Sequence, residues 1–193
     1  MGFSRAELES FRGAAVDDLM PEHPRLVFVG INPGLWTAAT GSHFAHPGNR
    51  FYPALAAAGI IPRLPDFSAG LGEEDRRMLL DAGIGISNLV HRATARADEL
   101  DRAELRLGAA RLEQDVRRWG APVVAIVGIT AYRQGFVRPS AAVGRQDERL
   151  GDAELWVVPN PSGLNAHASV ADLARAYAEP ARSAGVALTS NTE

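Results

Sequence analysis

Four short segments constrain this chain more than anything else in it. Arg25 to Gly30 (RLVFVG), Pro122 to Val127 (PVVAIV) and Glu154 to Val158 (ELWVV) are compact apolar runs rich in β-branched residues, and Ile84 to Val90 is a weaker run of the same kind. The first two runs show little in–out alternation, which is how strands buried on both faces of a parallel sheet read. Helical spacing fills the intervals. Asp101 to Trp119 is the clearest case, with Leu105, Ala109, Leu112, Val116 and Trp119 on one stripe. Ser4 to Glu7 is a capping box that opens a helix to about Val16. Asn49 to Gly59, Glu73 to Ala82 and Thr130 to Phe136 follow as helices, and Ser169 with Asp172 caps a last one. Strands alternating with helices predict an α/β domain of three layers, α/β/α, around a short, mainly parallel, four-stranded sheet. At 193 residues one domain over 1–193 is expected, with its core at about 25–185 and a flexible C-terminal tail.

In such sheets ligands bind beyond the carboxyl ends of the strands. Two Gly/Pro-punctuated turns fall there: Gly30-Ile31-Asn32-Pro33-Gly34 after the first strand, and Pro159-Asn160-Pro161-Ser162-Gly163-Leu164-Asn165 after the last. Each has two readings. Asn32 either satisfies local backbone groups in a tight turn or faces a ligand. Leu164 either folds back onto the core or projects from its loop.

Composition removes several chemistries. The chain has no cysteine, which excludes disulfides, thiol nucleophiles, iron–sulfur clusters and thiolate zinc sites. It has no lysine either, since all 20 basic residues are Arg, so no lysine imine can form. His43 and His46 stand three apart in a Pro/Gly-rich loop, and none of the five histidines forms a helical His-x3-His pair. No metal and no cofactor is expected. A Walker phosphate loop and a GxGxxG turn are both missing. With a formal charge of −3, any nucleic-acid contact must come from a local patch. No apolar run approaches a membrane span and the first residues are polar, so a cytoplasmic, nucleoid-associated monomer is expected.

Gly30-Ile31-Asn32-Pro33-Gly34-Leu35, followed by Phe44-Ala45-His46-Pro47-Gly48-Asn49-Arg50-Phe51, resembles the signature of the mismatch-specific uracil-DNA glycosylases, bacterial relatives of thymine-DNA glycosylase. Asn160-Pro161-Ser162-Gly163-Leu164 resembles the second motif of that family, and the likeness runs from about Arg25 to Tyr177. It implies the uracil-DNA-glycosylase-like α/β/α fold. It also implies hydrolysis of the N-glycosidic bond of a mispaired uracil in duplex DNA (G:U, with G:T and related pyrimidine lesions), after the nucleotide is flipped out. Downstream base-excision-repair enzymes are the implied partners.

The same resemblance assigns roles. Asn32 is the implied catalytic residue, orienting a water through its carbonyl oxygen. Ile31, Gly34, Thr37 and Phe44 are implied in substrate binding, with Phe44 stacking on the base and Thr37 near its C5, where it would favour uracil over thymine. Ser162, Gly163, Leu164, Asn165 and His167 form the implied DNA-binding wedge loop, with Leu164 filling the gap in the helix. The chain departs from the family there, because Asn165-Ala166-His167 stands where relatives often carry Ser-Arg. Asp98 stands where several relatives have Asn, and is either a cap or solvated acid or an auxiliary general base. Arg50 and Arg92 are candidates for phosphate contact, as is Arg96. Two other readings remain: a non-catalytic binder of mismatches or abasic sites on the same scaffold, and an N-glycosidase for free nucleosides.

Overall fold

A computed structural model describes residues 2–163 and 168–189. A five-stranded sheet runs through its centre in the order β2-β1-β3-β5-β4, with β1 at Leu26–Gly30, β2 at Ile84–Asn88, β3 at Val123–Val127, β4 at Gly144–Leu150 and β5 at Ala153–Val158. β1 pairs in parallel with both β2 and β3, and β3 in parallel with β5. β4 pairs with β5 antiparallel. The sheet therefore has one strand more than the four expected. β4 escapes a hydrophobic reading because its sequence is GRQDERL and only Leu150 in it is buried. It is a polar edge strand, a device that blunts edge-to-edge pairing.

The all-apolar strands are buried on both faces, as their lack of alternation requires. Leu26, Phe28, Val123 and Ala125 join one core with Phe51, Tyr52 and Leu55 of α3 (Phe51–Ala57), Leu79 of α4 (Glu73–Asp81) and Leu173, Tyr177 and Ala181 of the C-terminal helix at Val170–Ser183. Val27, Val29, Val124 and Ile126 join the other with Leu105, Ala109, Leu112 and Val116 of α5 (Arg102–Trp119) and Tyr132 of α6 (Ile129–Gly135). That last helix, α7, carries the expected Ser169–Asp172 capping box, and α5 carries one from Asp101 to Glu104.

Two N-terminal details differ from expectation. α1 spans only Arg5–Glu9, although its Ser4–Glu7 capping box forms as read. The chain leaves the helix because Gly13 adopts φ of +80° and donates its N–H to Ala93 O at 2.9 Å, while Ala15 bridges to Arg92. Long-range pairing wins over local helix propensity there. A short helix, α2 (Leu35–Thr40), follows the first Gly/Pro turn and stops at Gly41 with φ of +61°.

The chain passes from β1 outward to β2 and then returns to the other side of β1 as β3. The carboxyl ends of β1 and β3 therefore flank the point where the winding reverses, the place where a crevice opens in sheets of this kind.

Candidate functional site

A cavity of about 710 Å³ opens at that edge, within the usual range for a small-molecule site. Each wall has a separate origin. Ile31 to Thr37 come from the turn after β1 and from α2, Asn88 from the end of β2, Val127 from the end of β3, and Asn160, Ser162 and Gly163 from the loop after β5. His43, Phe44, His46, Gly48 and Asn49 supply the loop between α2 and α3. Arg5, Leu8 and Glu9 of α1, with Thr94, Ala95, Arg96 and Ala97 from the segment after β2, complete the rim.

The turn after β1 is braced along its length by the segment that follows β2. Leu89 N–H donates to Gly30 O and Val90 N–H to Ile31 O, each at 2.9 Å, and Thr94 N–H donates to Pro33 O at 3.1 Å. The side chain of Asn32 continues that ladder. Its Nδ2 lies 3.1 Å from Pro33 O, 3.1 Å from Arg92 O and 2.8 Å from Thr94 Oγ1. The two carbonyls can only accept, and Thr94 gives its own hydroxyl proton to Arg96 O at 2.8 Å, so the atom facing all three must be the NH₂. Asn32 lines the cavity, and no protein donor among the described residues reaches its Oδ1. A neutral oxygen acceptor is thereby held at the cavity wall with its direction set by three bonds.

Phe44 is built into the wall from the core outward. Phe28, Phe51 and Tyr177 form an aromatic cluster with centroids 5.2 to 5.9 Å apart, and Phe44 stacks on Phe51 at 4.1 Å and 22°. Its backbone has φ of +56°, a conformation non-glycine residues rarely take. Tyr52 in the core bonds the adjacent carbonyl of His43 at 2.7 Å and helps hold it there. With one ring face on Phe51, the other is the face available to a planar guest.

Asn88 was missed by sequence reading. It is 3% exposed, and its Nδ2 lies 3.1 Å from His43 Nδ1. Its Oδ1 hangs over Gly30: a methyl group on that glycine would come within 2.5 Å of Asn88 Oδ1 and 3.2 Å of the Phe44 ring. Gly30 therefore leaves room for both side chains. α5 fixes the same strand end, with Arg111 Nη2 donating to Asn88 O at 3.1 Å and Leu89 O at 2.9 Å. A residue with an unremarkable ISNL context offers no local signal of any of this. Thr94, Trp36 and the α1 residues were likewise invisible as site residues.

The remaining expected residues divide. Ile31, Gly34, Thr37, Ser162 and Gly163 all line the cavity, with Thr37 buried. Gly163 passes so close to the first loop that a β-carbon would meet Gly48 O at 2.8 Å. Leu164, Asn165 and His167 lie outside the described residues. Arg50 turns to the protein: Nη2 donates to Ser162 O at 2.6 Å, Nη1 to Ala168 O, and its N–H to Pro161 O at 3.0 Å. It staples both flanks of the second loop to the first. Arg92 forks onto Glu104 at 2.6 and 2.9 Å. That fork, with the Asp101 backbone N–H, holds the Glu104 carboxyl down at about 2. Asp98 sits outside the cavity on a short 3-10 turn, largely exposed and paired with Arg96 at 2.5 and 3.1 Å. Among the described residues no cluster of three or more His, Asp or Glu is placed to hold a metal ion. No helix among them is long and apolar enough to cross a membrane.

A model of the uracil DNA glycosylase superfamily matches residues 17–180. Among solved structures, the solution NMR structure of a candidate uracil DNA glycosylase from Methanosarcina acetivorans is similar, with a TM-score of 0.53 at 16% sequence identity. That match covers 86% of this chain and 98% of the other, and at such identity it speaks for the fold alone. The family match takes in both loops that wall the cavity, and the chain belongs to the uracil DNA glycosylase superfamily.

Proposed function

We propose that this chain is a monofunctional DNA glycosylase that hydrolyses the N-glycosidic bond of uracil mispaired with guanine, with thymine and related pyrimidine lesions as lesser substrates. The observation that carries the reading is the Asn32 carboxamide, whose Nδ2 is spent on three protein acceptors and whose Oδ1 is left at the cavity wall. A water accepted there is aimed by its hydrogen bond to Oδ1, and the amide needs no change of protonation to do it. The amide is too weak a base to take the proton, which forfeits about 10²–10⁴ in rate relative to a positioned general base. Slow turnover follows, with much of the catalysis in stabilising the departing pyrimidine anion. N–H groups of the turn that contains Ile31 and Gly34 are suited to that stabilisation.

A flipped base stacks on the open face of Phe44, a contact worth about 1–3 kcal/mol. Asn88 Oδ1, beside that ring, accepts the ring N–H of a uracil. Thr37, buried in the same wall, crowds a 5-methyl group and favours uracil over thymine. The loop after Gly163 enters the helix, and the enzyme works on duplex DNA as a monomer in the cytoplasm, handing its abasic product to downstream repair enzymes. Without lysine it has no side-chain amine for imine-based strand cleavage, so the abasic strand stays intact.

The test uses labelled duplexes carrying U:G, U:A and T:G, treated with alkali after incubation. Alkali-dependent cutting, strongest for U:G, is expected. An Asn32→Ala variant should lose about 10²-fold or more in single-turnover rate while still binding an abasic duplex. No cutting of any duplex by the wild type refutes the glycosylase reading and leaves the non-catalytic binder.

A further inference from the structure

We infer that His43 is a specificity-determining positioning residue: it fixes which end of the Asn88 carboxamide faces the cavity, and so makes the site accept bases with a ring N–H and reject those with a bare ring nitrogen. This rests on the glycosylase reading and names what decides its substrate class.

The argument is a chain of hydrogen-bond polarities. His43 Nε2 lies 2.9 Å from the backbone carbonyl of Asp17, which can only accept, so Nε2 carries a proton. The ring is 4% exposed. Burial pushes the imidazole below the usual histidine range; Asp17 O and Asp18 oppose that shift, while His91 and Arg76 reinforce it. A neutral ring has one proton, already on Nε2, so Nδ1 presents a bare lone pair. The Asn88 atom 3.1 Å from that lone pair must donate, and it is therefore Nδ2. The oxygen is left over Gly30 beside the edge of Phe44, where no protein donor among the described residues meets it.

The consequence is a choice between bases. Uracil carries a proton on N3, and thymine does too, so each can satisfy Asn88 Oδ1. Cytosine carries a lone pair at N3, which would face the oxygen with no proton between them. A site built to bond a substrate N–H rejects an analogue lacking it by about 10⁴-fold or more. The rejection holds only while the amide cannot turn over. A rotation by 180° would present NH₂ instead, and cytosine would be welcomed. Nothing in Asn88 itself forbids that rotation. The lone pair of His43 does, because a reversed amide would set oxygen against it.

Duplexes with 5-fluorouracil or 5-fluorocytosine opposite guanine read this out as the ratio of the two release rates. Pairing strength differs between them but cancels when variants are compared. His43→Leu removes the lone pair and should lower the ratio at least about tenfold. His43→Gln, which can offer a donor and an acceptor again, should hold it within about threefold of wild type. In an Asn88→Ala background His43→Leu should leave the ratio unchanged, because His43 acts only through that amide. A merely structural histidine would instead lower both rates together. The ¹⁵N signals of His43 in the labelled wild-type protein provide a check that needs no folded variant: a protonated Nε2 and bare Nδ1 at neutral pH support the inference, and a proton on Nδ1 overturns it. A wild type that releases neither base sinks the glycosylase reading and this inference together. One that releases 5-fluorouracil with a ratio indifferent to His43→Leu sinks this inference alone.

Discussion

Two asparagines face one cavity, and the protein restrains them differently. Both spend Nδ2 on the protein, and no donor among the described residues meets the Oδ1 of either. Asn32 is held by two backbone carbonyls and a hydroxyl committed elsewhere, none of which can become a donor to it. Asn88 is held by a single imidazole nitrogen, which accepts only while the ring is neutral. The first arrangement is rigid in chemistry as well as in position, and suits a group that must aim a nucleophile. The second depends on a tautomer, and suits a group that must tell one base edge from another.

The comparison is tested hardest by Asn32→Asp. Aspartate matches the shape but brings no NH₂, so an oxygen would face Pro33 O and Arg92 O. Activity at pH 7 should fall about 10²-fold or more, with about 1–3 kcal/mol of stability lost in denaturant titrations. A rise in rate, as expected if a general base were simply being added, would break the account. Gly30→Ala comes next. Its methyl group must displace Asn88 Oδ1 and the Phe44 edge, so base release should fall at least about tenfold, while overpacking at two side-chain ends costs about 1–3 kcal/mol. Thr94→Val removes one acceptor from Asn32 at nearly constant volume. It should lower kcat about tenfold or less with little change in KM, the pattern of a lost transition-state contact.

Acid probes the second asparagine. The unfolded chain protonates His43 near the ordinary value of about 6.5, while the folded ring resists protonation. The unfolded state therefore binds more protons below that pH. The stabilisation from the neutral buried ring is fully present above about pH 6.5 and drains away as pH falls through the lower folded value. Denaturation midpoints from pH 7.5 to 5 should decline, and the decline should be shallower in His43→Leu. The smallest effect belongs to Asp98→Asn. Its carboxylate does not line the cavity and pairs with Arg96 at the rim, and exposed pairs contribute about 0–1 kcal/mol. Rate and pH profile should match wild type, and a shifted acid limb would restore Asp98 as an auxiliary base.

The arginines mark where one-dimensional reading stops. Arg50 and Arg92 both read as phosphate contacts, since nothing local distinguishes a cation bound for DNA from one bound for the protein. In the fold Arg50 reaches Ser162 and Ala168, more than a hundred residues away, and Arg92 meets Glu104 across the gap between β2 and α5. β4 illustrates a different blindness. A hydrophobic scan finds strands that are buried, and an edge strand survives by being polar.

What the amino-acid order determined alone was whatever depends on neighbours a few residues apart: the double-sided burial of β1 and β3, the capping boxes of α1, α5 and α7, and the Gly/Pro turn that carries Asn32 at a strand's carboxyl end. Tertiary structure alone decided which polar atoms meet. Asn88 and His43 are 45 residues apart, and Asn32 and Thr94 are 62 apart. A hydrogen bond's direction depends on what each partner's other atoms are already doing, and that is settled only when the separate strands close on one another.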